Sequence, residues 1–449
     1  MALAAAAGVW AAVTAVAGGF IIGVGRFRVS SRDGLRPLLA AVLLLVAARF
    51  LLGGVEFRRG LARIAGADRG GVPRRVACVA ALAVLVFSLA WNTRAAGGSD
   101  SSCYVLQAEA FAHGRSSLDA ALDALPDAPA AMLSPTGFVP SPRPPHAPVP
   151  ICGPGLALMM ALPSLLARDA VFLVVPALAA LTVWLTFVFG RQLDDDVTGA
   201  CAAVLVACSP ILLYQAVQPM SDVPAAALWL AALTAAARRR SVVAGICASL
   251  AVLTRANLAL LVVPLVLLLP DRRSWVRFGV AALPGLAIAA ALNAVRYGSP
   301  LASGYGSTGV LFSTAHVLPN LARYPAWLIA TNTPFILLAL VTPWWIARHP
   351  DRARLAGVAM VCAVLLCATY LVYSVFDDWW YIRFLLPALP VAIVLSVAVA
   401  LDAIGRWRAA SPSAVRRSRM RAAAVLAAVL GSWYIHLARS RQVLDLQPL

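Results

Sequence analysis

The chain has no lysine at all. Its 37 basic side chains are all arginine, set against 19 acidic ones, for a formal net charge of +18. Charge of either sign is scarce: 12% of residues are charged, where soluble domains carry about 25%. That scarcity excludes a soluble domain of ordinary composition. The excess of arginine does not argue for nucleic acid, because no basic stripe exists. The arginines fall in short clusters between apolar runs, the distribution of positive-inside charges in membrane proteins. No cysteine spacing suggests zinc. Six of the eight cysteines (Cys78, Cys201, Cys208, Cys247, Cys362, Cys367) lie inside apolar runs as packing residues. Only Cys103 and Cys152 lie in a long polar segment, where they can form a disulfide if that side is oxidising. The first apolar run, Met1 to Ile22, lacks a basic leader, and Gly23-Val24-Gly25-Arg26 is a poor cleavage site, so it reads as a retained span.

Apolar residues make up 61% of the 449, and mean hydropathy is +0.84. Several runs reach the roughly 20 residues needed to cross a hydrocarbon core of about 30 Å. The fold class expected is all-α: a polytopic transmembrane helix bundle. Abundant Ala, Arg and Val match the bias of a GC-rich, bacterial coding sequence. Hydropathy places spans at about 4–24, 37–53, 76–92, 170–189, 197–214, 222–237, 241–254, 257–270, 278–295, 325–346, 355–374, 383–403 and 421–438, about thirteen in all. The stretch 155–166, short and holding Pro163, reads as an interfacial or re-entrant helix. Residues 93–150 form a long loop whose second half is too proline-rich for helix or central strand.

With that loop outside, the arginine clusters of 54–75, 238–240, 271–277, 347–354 and 404–421 all fall inside. Arg26, Arg28, Arg32 and Arg36 would face out, against the rule. The same parity collects Asp100, His146, Arg168, Ser221-Asp222, Thr254-Arg255, the loop 296–324 and the stretch Phe376–Arg383 on one face. Unusual polar residues gathered at one face of a membrane protein mark a site.

Asp100 follows an apolar run directly and sits at a water-accessible rim, where a carboxylate can act as a base or merely cap a helix. Asp222, in Pro219-Met220-Ser221-Asp222-Val223-Pro224, is either a helix start or a group that orients an acceptor or a metal. Arg255 has no acid near it in sequence, so it either binds an anion, its donor fork matching phosphate, or snorkels to the interface. Arg383 can pair with Asp377 or Asp378, or share that anion. Trp379, Trp380 and Tyr381 read first as an aromatic belt, with sugar stacking as the other option. His146 is a lone loop histidine, more often simply exposed. Asp194-Asp195-Asp196 falls inside and reads as a solvated turn.

Taken together, these stretches resemble the GT-C superfamily of polyprenol-phosphate-dependent glycosyltransferases, in particular protein O-mannosyltransferases and lipid A aminoarabinose transferases. The likeness covers about 75–400 and rests on order and spacing. It comprises Ser99-Asp100 after a span with Tyr104 and Glu109 behind; 148–158, similar to a Tyr-Pro-Pro-Gly stretch before a juxtamembrane helix; Met220–Pro224; Leu253-Thr254-Arg255; Tyr297–Tyr305; and Tyr381–Pro387. There are departures. Ser101 stands where the family often has a second acid after the first, and the Tyr-Pro-Pro-Gly pattern is reduced to Ile151-Cys152-Gly153-Pro154-Gly155.

The resemblance implies catalytic acids at Asp100 and Asp222. The expected substrate-binding set is Arg255, Arg383, His146, Tyr104, Tyr305 and Tyr381, with no residues assigned to a metal. The expectation is an inverting transferase that moves a sugar from a polyprenyl-phosphate donor to an acceptor hydroxyl, with Asp100 as general base on the extracytoplasmic face of the inner (plasma) membrane. Its partners would be the lipid-phosphate donor, a glycan, lipid or protein acceptor, and membrane lipids, with no nucleic acid. No cofactor is demanded, though a divalent metal is compatible. The division expected is 1–72 as an extra membrane hairpin and basic loop, 73–405 as the core with outer loop 93–168, and 406–449 as a basic loop and last span. The competing expectation, a transporter or lipid-linked glycan flippase, would call for internal repeats and mid-membrane ions; no clear repeat is present.

Overall fold

A computed structural model of the chain describes residues 20–24, 27–31, 71–118, 134–143, 146–306 and 308–409. The chain divides into two compact units, Met1–Val79 and Ala80–Leu449. Among its described residues the first unit holds an antiparallel hairpin, β1 (Phe20–Val24) and β2 (Phe27–Ser31), with Phe20 opposite Ser31. The end of the first expected span is therefore strand, not helix. The rest of 4–24, and the expected spans 37–53 and 421–438, lie outside the described residues.

Helix α1 (Gly71–Ala90) is followed by α2 (Ser99–Ala112), the hairpin strands β3 (Phe138–Pro140) and β4 (Pro148–Pro150), and α3 (Pro154–Ser164). Then come α4 (Val174–Leu193), α5 (Asp196–Ala207), α6 (Pro210–Ala216), α7 (Asp222–Ala237), α8 (Ser241–Thr254), α9 (Ala259–Leu265) and α10 (Arg272–Tyr297). The remainder is α11 (Thr308–Leu311), α12 (Val317–Asn332), α13 (Thr342–Arg348), α14 (Ala353–Leu371) and α15 (Leu389–Ala409). Short 3₁₀ turns at Arg168–Leu173, Pro334–Val341 and Trp379–Leu385 join neighbours. The architecture is helical, but the two hairpins qualify the all-α expectation. The prolines of β3 and β4 are tolerated because the hairpin has only edge strands.

Five helices among the described residues are long and apolar enough to cross a membrane: Gly71–Ala90, Arg168–Leu193, Arg272–Tyr297, Ala353–Leu371 and Leu389–Arg406. Counting two bent pairs makes seven. The protein is a multi-pass membrane protein, and among the described residues some of the expected crossings are short or bent. Expected spans at 222–237, 241–254 and 257–270 are short apolar helices (Asp222–Ala237, Ser241–Thr254, Ala256–Leu268), below the roughly 20 residues of a complete crossing. The expected span 325–346 bends by 113°. Thr333 there takes φ +57 and Pro334 follows it, removing a backbone donor. Pro210 marks the other break, of 61°, between α5 and α6. The two breaks meet: Ser209 Oγ donates to Asn332 Oδ1 at 3.4 Å, both residues being buried. Side-chain partners of this kind satisfy polar groups that a helix break leaves inside a bilayer.

Helix α7 is the central element. It is alanine-rich and buried on nearly every face from Asp222 to Ala236, as expected of a helix apolar all round. Small side chains let α4 and α8 pack closely against it. Its first residue, Asp222, is thereby delivered to the interior at one end of the second unit.

At Asp194–Asp196 the structure corrects the expectation of a solvated turn. Asp195 caps α5, accepting from Thr198 N at 2.7 Å. Asp194 pairs with Arg352, and Asp196 with Arg191 at 2.9 Å. The three acids are a helix junction cross-linked to the start of α14.

Candidate active site

Helix α2 carries Asp100 in its first turn. It is held in place by covalent and steric means. Cys103 and Cys152 form a disulfide that ties α2 to the chain just before α3. Gly137, at φ +89, lies against the same helix; a Cβ there would stand 2.4 Å from Ser99 O and 2.9 Å from Cys103 Cβ, so only glycine seats the hairpin beside Asp100. On the other side of the disulfide, Gly155 opens α3 directly on Thr254, the residue before Arg255. A Cβ at Gly155 would stand 2.5 Å from Thr254 N and 2.6 Å from its Cα. Gly155→Val is expected to cost about 1–3 kcal/mol of stability and to displace Arg255. A thermal midpoint in nanodiscs equal to that of the wild type would contradict this.

Four charges from four elements form one alternating chain. Arg383 Nη2 donates to Asp100 Oδ2 at 2.8 Å. Arg383 Nη1 lies 3.8 Å from Asp222 Oδ2, and Arg255 Nη2 lies 2.6 Å from Asp222 Oδ1. Exposure separates the two acids: the Asp222 side chain is 0% accessible, that of Asp100 33%. Among the described residues the ion pairs of Asp222 are with these two guanidinium groups, and Asp100 alone of the two carboxylates can be reached from outside.

Arg255 is fully engaged. Its Nε donates to Ser221 Oγ at 3.2 Å and its Nη1 to the Tyr370 hydroxyl at 3.1 Å, which also accepts from Asn257 Nδ2 at 2.9 Å. The Tyr104 hydroxyl donates to Ser221 Oγ at 2.7 Å. Burial pushes the Tyr104 phenol up to about 12, so it remains a neutral hydroxyl. Arg383 is the less satisfied cation: its buried Nε has no hydrogen-bond partner. Phe384 lies under both guanidinium groups, 5.4 Å from Arg255 and 5.2 Å from Arg383, with Tyr370 stacked on it at 5.0 Å. Such stacking suits arginine, which is more weakly hydrated than an ammonium.

The structure therefore brings Asp100, Asp222, Arg255, Arg383 and Tyr104 into one network. Tyr381 lies beside it, 5.5 Å from the Arg383 guanidinium. Tyr305, 44% exposed, is within electrostatic reach of Tyr104 and Asp100. His146 is not part of it: exposed in the hairpin, its Nδ1 lies 2.9 Å from Ser141 O, and it shares no hydrogen bond or ion pair with the network. Two local expectations are corrected. Arg383 does not pair with Asp377, which takes Arg323 at 2.6 Å instead. Arg255 is not without an acid, because the fold supplies Asp222. Tyr370 and Asn257 carried no signal in the sequence, each sitting in or beside an apolar run, and Phe384 entered only as part of the Tyr381–Pro387 stretch, with no role assigned. Among the described residues no group of three or more His, Cys, Asp or Glu side chains converges as a metal site.

No protein-family model matches the sequence, and no curated protein matches it. Solved structures do. The apo oligosaccharyltransferase of Archaeoglobus fulgidus matches with a TM-score of 0.54, 15% identity, over 81% of this chain and 55% of its own. The fold is GT-C-like. AglB from the same organism, in complex with an inhibitory peptide and a dolichol-phosphate, matches at 0.50 with 14% identity, over 82% of this chain and 55% of its own. ArnT from Cupriavidus metallidurans in the apo state scores 0.48 at 18% identity, over 73% and 60%, too low to add to the fold assignment. The GT-C-like chain spans between 55% and 60% of the length of these structures, and at such identities the likeness is one of fold.

Proposed function

We propose that the protein is a membrane glycosyltransferase that moves a sugar from a lipid-phosphate donor to an acceptor hydroxyl, with inversion. The observation that carries this reading is the pairing of one accessible carboxylate with an under-satisfied guanidinium, Asp100 with Arg383. A GT-C-like fold, known in a structure that holds dolichol-phosphate, supports a polyprenyl-phosphate donor. Asp100 takes the acceptor's proton as its oxygen attacks the anomeric carbon. The bond from that carbon to the phosphate oxygen breaks as the new glycosidic bond forms on the opposite face. The phosphate leaves with the electron pair as the lipid monophosphate. Arg383, whose Nη2 already holds Asp100, meets the phosphate beside that carboxylate. Arg255 adds charge behind it, and fixed charge at a leaving group is usually a large catalytic contribution. Asp222, buried between the two cations, positions them and does not touch the acceptor. The arginine distribution and the Cys103–Cys152 disulfide support placing this edge on the oxidising, extracytoplasmic side of the inner membrane.

The test is transfer in proteoliposomes from a polyprenyl-phosphate hexose or pentose to a cell-envelope glycan extract. Wild-type protein should move label. Arg383→Gln should raise the KM for donor by about tenfold or more, the loss of a charge-assisted hydrogen bond to phosphate. Lipid translocation without any glycosidic product would overturn the reading in favour of a flippase.

A further inference from the structure

The turn that delivers Arg383 also carries Trp379, Trp380 and Tyr381. The break between α5 and α6 swings Tyr214 against both tryptophans, with ring centroids 5.6 and 6.5 Å away. Trp379 meets Trp380 edge-on at 6.3 Å, and Trp380 lies 6.3 Å from Tyr381. Tyr381 in turn lies 5.5 Å from the Arg383 guanidinium, which holds Asp100. One aromatic wall, half-buried along its length, thus runs to the accessible carboxylate. Among the described residues neither indole N–H of the wall and neither phenol hydroxyl makes a hydrogen bond. Two exposed acids rim the wall: Asp377, paired with Arg323, and Asp378, which has no ion pair among the described residues.

An interfacial belt would also place aromatic rings at this depth. Belt residues, however, serve lipid headgroups, many of them anionic; here Asp377 is already compensated by Arg323, and the exposed Asp378 beside the tryptophans leaves the uncompensated charge there negative. Tyr381 is itself stacked on Phe376 at 3.9 Å, so what this surface offers is chiefly the electron-rich faces of Trp379, Trp380 and Tyr214, which attract the polarised C–H face of a sugar. It adds unpaired N–H and O–H donors and carboxylate acceptors suited to neutral hydroxyls. We infer that the Tyr214–Trp379–Trp380–Tyr381 wall is the acceptor subsite and that its ligand is a neutral oligosaccharide, whose terminal hydroxyl reaches Asp100. The placement of that hydroxyl rests on the transferase reading; the binding does not.

The experiment uses the full chain in nanodiscs of zwitterionic lipid, without donor. Saturation-transfer NMR and titration calorimetry are run against short neutral gluco-, manno-, galacto- and arabino-oligosaccharides, with oligouronates as the charged comparison. At least one neutral series should bind, more tightly than any oligouronate. Trp379→Ala/Trp380→Ala should weaken it by about tenfold or more. If the double variant is not recovered folded, Trp380→Leu and Tyr214→Leu are judged by the same criterion. The inference fails if no neutral oligosaccharide binds wild type more tightly than the variants, or if oligouronates bind as well. It also fails if the variants change only the retention of lipid vesicles, which would identify a membrane belt. No transfer is read in this assay, so its failure leaves the transferase proposal standing, and loss of that proposal leaves a measured binding in place.

Discussion

Asp100→Asn is expected to reduce sugar transfer by about 10²–10⁴-fold, the usual contribution of a positioned general base. The substitution is nearly isosteric, and an asparagine oxygen can still accept from Arg383 Nη2, which now donates to Asp100 at 2.8 Å. The helix itself is pinned by the Cys103–Cys152 disulfide and the Gly137 seat, so the backbone has no cause to move. Donor affinity should therefore change little while the chemical step collapses, a split in kcat rather than KM. Single-turnover transfer from labelled lipid-phosphate sugar reads it directly. A rate equal to that of the wild type would falsify the role assigned to this carboxylate.

Removing Asp222 should act differently. Asp222→Ala leaves Arg255 and Arg383, with side chains 13% and 11% exposed, without their shared buried counter-ion. Breaking a buried pair from one side costs about 3–5 kcal/mol, because a charge is stranded out of water. A marked fall in the thermal midpoint should accompany loss of activity. The double variant Asp222→Leu/Arg255→Met removes both members of the 2.6 Å pair and should recover most of the stability, since apolar replacements of buried pairs are often neutral. Activity should stay lost in both. Equal stability of the single and double variants would contradict the view that loss of Asp222 destabilises by stranding the Arg255 charge.

The ions of this network stand out in the sequence for one reason: each is a charge at the end of an apolar run. Their partners do not stand out. Arg383 and Asp100 are 283 residues apart, and nothing local distinguishes that pairing from one with Asp377, six residues away. The same limit applies to Arg255, whose acid comes from the far end of α7. Tyr370 could not be singled out because a tyrosine inside an apolar run reads as packing; only the fold shows its hydroxyl accepting from two fixed donors. The bend inside the expected span 325–346 escapes the sequence reading because hydropathy averages over a backbone event. Residues 325–346 are apolar throughout, yet Thr333 and Pro334 break the helix, and Pro334 was the available warning. The general character of the chain was legible because the cost of unpaired backbone in lipid leaves few architectures open.

The chain of alternating charges has one further physical consequence. Two carboxylates and two guanidinium groups sum formally to zero, so the network casts the field of a multipole, which decays faster with distance than that of a lone ion. Long-range attraction of an anion, of the kind a cleft of one sign produces, is therefore weak at this edge, whatever the arginines elsewhere contribute. Recognition here is by contact, and its strength is insulated from the ionic strength of the surrounding water.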